Sequence, residues 1–221
     1  MGCQKEETIN SLLEPFIIYA VLFLPGLVSG GGIAGDPEAP IQFSVMRELA
    51  RIAGYNIPSF LLIWYLSFLN RRKPFPVKVQ SADFLSLAIA LPGLLGIGLA
   101  LYHITPIFTP VPPVITIAPP QGTAAILVMI LSCFTTGYLE ETYFRHYLLT
   151  WFRNHRLHPV LGIVISVLLF SLCHVYEGLW GVLNAALAGT LLALVYKRYG
   201  RLHGLAWAHG LYNAFVYVNG I

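Results

Sequence analysis

Long apolar runs, broken by short polar or proline-rich interruptions, dominate the chain. A helix that crosses a hydrocarbon core of ~30 Å needs about 20 apolar residues. Seven segments read as candidates: 15–29, 55–69, 84–102, 123–152, 157–174, 179–196 and 205–218. The expected fold is all-α, a polytopic transmembrane helix bundle of about seven spans, with six to eight as the range. Segment 42–54 (QFSVMRELARIAG) is amphipathic and reads either as an interfacial helix or as the start of the second span. Segment 106–121 carries Pro106, Pro110, Pro112, Pro113, Pro119 and Pro120, so it cannot be helical throughout and is expected to be an extracytosolic loop or cap.

The basic residues fall in alternate interruptions. Arg71, Arg72, Lys73 and Lys78 follow the second segment, Arg153 and Arg156 the fourth, and Lys197, Arg198 and Arg201 the sixth. Positive residues favour the cytosol, so this alternation threads the chain with its N-terminus inside and its C-terminus outside. The acidic stretch 30–40, with Asp36 and Glu38, then lies outside. Met1–Asn10 lacks the shape of a secretory signal and reads as a short cytoplasmic lead-in. No repeat or linker divides the chain, and one membrane domain over 1–221 is the simplest organisation.

Composition agrees. Of the 221 residues 57% are apolar and only 10% charged, and mean hydropathy is +0.70. Ordinary soluble domains carry roughly 25% charged residues. A net charge of +3 is too small to imply a polyanionic partner, and no nucleic-acid partner is expected. The partners implied are the lipid bilayer and whatever the buried polar groups act on. Three cysteines, two of them inside apolar runs, do not suggest a disulfide framework.

Ionisable side chains inside membrane spans cost a few kcal/mol each and mark functional sites by default. The second half of the chain holds a set of them, and the first half has nothing comparable. Glu140, Glu141 and Arg145 fall in the fourth span, Phe170 and His174 end the fifth, and His209 and Asn213 fall in the seventh. Residues four apart share a helix face, so Glu141 can pair with Arg145, His209 can share a cavity with Asn213, and Phe170 can pack beneath His174. Glu140 diverges from Glu141 by about 100° and points to the side that carries Phe144.

Three helices can thus offer Glu140, His174, His209 and Asn213 to one interior point. That set suits hydrolysis of an unactivated carbonyl. A poorly hydrated carboxylate is a better base; a histidine can share its work or protonate the leaving amine; His209 and Asn213 can donate to an oxyanion. The same groups match a catalytic zinc set by ligand type, and spacing does not decide that. Glu141 and Arg145 also read as a neutralising pair that lets the helix insert. A proton-linked transporter and a catalytically silent scaffold remain as other uses of these residues.

At these residues the chain resembles the CPBP intramembrane proteases, which include the CAAX prenyl endopeptidases of the Rce1 type and bacterial Abi proteins. The family signature is Glu-Glu-x-x-x-Arg, then Phe-x-x-x-His, then His-x-x-x-Asn/Asp, on separate membrane helices. Here it reads Glu140 to Arg145, Phe170 to His174 and His209 to Asn213, all intact and in order. The likeness covers 123–220, expected to be the catalytic core. It implies a membrane endopeptidase hydrolysing a peptide bond near the C-terminus of a membrane-associated or lipidated protein or peptide. Glu140 would activate water with help from His174, His209 and Asn213 would form the oxyanion site, and Glu141, Arg145 and Phe170 would support them. It implies no cofactor, with a divalent metal such as zinc as the alternative.

Overall fold

The computed structural model describes residues 13–25, 42–69, 77–108 and 118–219. The N-terminal lead-in, the acidic stretch, Arg71–Lys73 and the middle of the proline segment lie outside the described residues. Those described form seven helices and no strand. They are α1 (Leu13–Leu22), α2 (Val45–Leu69), α3 (Ser81–Phe108), α4 (Thr123–Asn154), α5 (Pro159–Leu172), α6 (Gly178–Tyr199) and α7 (His203–Asn219). Four of them, α2, α3, α4 and α6, are long and apolar enough to cross a membrane; α1 and α5 are shorter apolar helices.

The amphipathic segment proves to be the start of the second span. Ser44 caps it, and the helix runs on to Leu69 through a π-helical turn at Ile52–Asn56. Pro58 follows that turn and cannot donate to the carbonyl of Gly54 four residues back, which explains the local widening. The third span is longer than expected. It passes through Pro92 and Pro106 and ends at Phe108, so the proline segment begins helically. α4 carries a second π-helical stretch, Thr142–Leu148. No proline explains it. The Ser166 hydroxyl of α5 donates to the Phe144 carbonyl at 2.9 Å, serving an acceptor that a widened turn leaves open.

Leu61, Phe68, Ile107 and Leu127 are all at least half exposed. Such faces would aggregate in water and suit lipid. The interior is correspondingly polar in places, with Glu141, Arg145, His146 and His209 buried. Two apolar clusters fill the rest. One is largely aromatic and joins α1, α2, α4 and α5 through Tyr19, Phe23, Ile63, Tyr143, Phe144 and Phe170. The other joins α3, α6 and α7 through Leu94, Leu192, Leu205 and Tyr212. The candidate site lies where they meet.

Two glycines allow the closest helix crossings. A Cβ at Gly137 of α4 would stand 2.8 Å from the Ala206 carbonyl and 3.0 Å from the Gly210 nitrogen of α7. A Cβ at Gly204 would run into the Asp83 backbone where α7 meets α3. Small residues let membrane helices approach without side chains between them.

Candidate functional site

The π stretch of α4 controls the depth at which groups meet. The bond from Ser166 to Phe144 levels those two residues. At 1.5 Å per residue, Phe170 then lies ~6 Å further along, level with Glu140. His174 would overshoot by another turn. It folds back instead: its Nδ1 donates to the Phe170 carbonyl at 2.9 Å, and its ring packs on the Phe170 ring with centroids 4.8 Å apart. A carbonyl only accepts, so the proton sits on Nδ1 and the Nε2 lone pair is free to accept.

His209 is the hub. Its Nδ1 donates to Glu141 Oε1 at 2.9 Å. Its Nε2 lies 3.5 Å from Glu140 Oε2. The divergence expected between the two adjacent glutamates is therefore compatible with a common partner, because the two ring nitrogens face different sides of the imidazole. Phe170 packs edge-on against the His209 ring at 5.8 Å, which links both histidines through one phenyl group.

Glu141 and Arg145 form the expected pair, with Arg145 Nε 3.2 Å from Glu141 Oε2 and both side chains fully buried. Arg145 also donates to the Gly189 carbonyl at 3.4 Å and lies over the Phe170 ring at 4.6 Å. Glu141 thus does more than neutralise: one oxygen meets the guanidinium, the other orients His209.

His174, His209 and Asn213 line one cavity of about 100 Å³. Phe170, Ala185, Ala188, Leu192 and Leu94 form its apolar walls. Glu140 joins through its contact with His209 and retains some exposure, 16% of its side chain. All seven residues singled out in the sequence therefore belong to one connected region.

Sequence reasoning missed two sets. Asn184 and Tyr212 line the cavity and hydrogen-bond each other at 3.1 Å. An amide inside the apolar sixth span was the available signal. The expectation that the first half holds nothing comparable is also wrong. Glu48 is buried, 2.7 Å from Arg51, and accepts from Ser132 of α4 at 2.7 Å. Asn56 donates to Thr135 and Thr136 at 2.9 and 3.0 Å, one turn before the glutamates. The amphipathic pattern of 42–54 contained Glu48 and Arg51, but only the fold reveals their partner in α4.

Nδ1 of each histidine is engaged by a carboxylate or a carbonyl, which leaves each Nε2, together with Glu140, as the donors a metal ion would use. Among the described residues no three His, Cys, Asp or Glu side chains converge as a metal-holding group.

Residues 122–215 match a family model, described as type II CAAX prenyl endopeptidase Rce1-like. No curated protein and no solved structure matches the chain. The matched region runs from the start of α4 into the last turn of α7, and all seven site residues lie within it. The four long apolar helices support an integral membrane protein, and over 122–215 the chain is similar to a protease family.

Proposed function

We infer, from the likeness of residues 122–215 to the Rce1-like CAAX endopeptidase family model, that this chain is an intramembrane endopeptidase working by glutamate-activated water. Its substrate is a membrane-associated protein or peptide, and the region 123–220 is its catalytic part within one membrane domain. The observation that carries the reading is His209 standing between two carboxylates at the edge of a cavity shared with His174 and Asn213.

The chemistry follows from the donors and acceptors. Glu140 takes a proton from a water held between its carboxylate and the bare Nε2 of His174. The water oxygen bonds to the peptide carbon, and the carbonyl oxygen becomes an oxyanion. His209 already donates from Nδ1 to Glu141, so a neutral ring would aim a lone pair at Glu140. A second proton, taken from solvent before substrate binds and retained through the cycle, puts an N–H on Nε2 as well, a donor flanked by two carboxylates. The same N–H, with the Asn213 amide, stabilises the oxyanion. Glu140 or His174 then passes the proton to the amine as the C–N bond breaks. The buried Arg145 balances the charge of Glu141 and keeps it from rotating away from His209.

The test uses purified, vesicle-reconstituted protein and a peptide library read by mass spectrometry. Glu140→Ala is expected to reduce cleavage at least about 100-fold, the lower range for a general acid–base group. Cleavage at the parental rate would remove Glu140 from the mechanism.

A further inference from the structure

The cavity has an acidic rim. Glu177 ends the short 3-10 turn Val175–Glu177 after His174 and directly precedes α6. It is half-buried and lines the same cavity as His174, His209 and Asn213. Its carboxylate folds over the first turn of α6, in space that Gly181 leaves: a Cβ there would stand 2.8 Å from Glu177 Oε2. The positive end of a helix favours a negative group at that place.

Charge around the cavity is one-sided. Its described lining includes no lysine or arginine. The nearby guanidinium, Arg145, lies behind Phe170 and is already paired with Glu141. A substrate carboxylate beside Glu177 would meet a like charge, and His209, the group there able to carry a positive charge, is already flanked by Glu140 and Glu141. A substrate ammonium or guanidinium would meet Glu177 in a partly apolar setting, where charge pairs act more strongly than in water.

Position reinforces this. Glu177 lies about 30 Å along α6 from Lys197 and Arg198, at 1.5 Å per residue. The acidic rim is therefore at the end of the bundle away from that basic cluster.

We propose that Glu177 is a specificity-determining residue, which selects a lysine or arginine of the substrate beside the scissile bond. The proposal rests on the endopeptidase reading above and adds the charge class of the substrate.

The experiment uses the reconstituted full chain, with a matched peptide series carrying Lys, Ala or Glu at each position flanking the cleaved bond. The parental protein is expected to favour Lys over Glu about tenfold at one position, two charge differences at roughly the strength of a partly exposed ion pair. Glu177→Gln should bring that ratio near one, and Glu177→Lys should invert it. The inversion is a gain on acidic peptides, which a misfolded variant cannot give. Cleavage by the parent without a charge preference, or a preference that survives in both variants, overturns this proposal and leaves the endopeptidase reading intact. No cleavage by the parent, indistinguishable from Glu140→Ala, overturns both.

Discussion

Glu141 illustrates how one buried carboxylate serves two neighbours. Arg145 holds one oxygen and His209 the other. Breaking a buried ion pair by removing one partner costs about 3–5 kcal/mol, because the other charge stays buried alone. Glu141→Gln should therefore lower the unfolding temperature in detergent and also reduce cleavage. Removing both charges, Glu141→Gln with Arg145→Met, should restore much of the stability. It should not restore activity, since His209 still lacks its carboxylate. Recovery of activity along with stability would reduce Glu141 to a neutralising partner of Arg145.

Among elements, the contact of α4 with α7 decides whether the site exists. It brings Glu140 and Glu141 to His209, and Gly137 permits it by leaving room for the α7 backbone. Gly137→Val should push α7 away, destabilise the bundle by about 1–3 kcal/mol as overpacking does, and abolish cleavage. Gly96→Ala in α3, where nothing lies within 4 Å, is the control and should change neither. Equal effects of the two substitutions, read by thermal unfolding and peptide cleavage, would deny Gly137 a special role. α2 braces the same helix from the other side through Asn56, whose amide reaches Thr135 and Thr136. α1 braces the π stretch: the Tyr143 hydroxyl donates to the Pro15 carbonyl at 2.6 Å, and Tyr19 donates to the Leu169 carbonyl at 2.9 Å.

For the whole molecule, the question is which end of the cavity faces which side of the membrane. The positive residues Arg153, Lys197 and Arg198 cluster at one end, and Glu177 stands at the other. By the positive-inside tendency the rim is expected to face outward. In a background with the native cysteines replaced, Leu179→Cys and Lys197→Cys should react with a membrane-impermeant thiol reagent from opposite sides. Leu179 is 70% exposed and Lys197 is exposed as well, so neither is covered by the protein. Labelling from the same side would refute the orientation.

The helical membrane character was legible in the sequence, because apolar length and scarcity of charge are properties of composition that lipid imposes on any fold. The three motifs were legible too: a buried ion or imidazole is costly wherever it occurs, so Glu140, His174 and His209 stand out without coordinates. Their convergence was expected from the shared helix faces, but the means of it were not legible. It depends on a π stretch without a proline to announce it, on Ser166 meeting Phe144, and on Gly137 admitting α7. The partners of Glu48, Asn56 and Asn184 were equally hidden, since each lies on another helix. Local pattern reports what a residue costs in lipid. Only packing between distant segments decides which group offsets that cost, and so which carboxylate meets which imidazole.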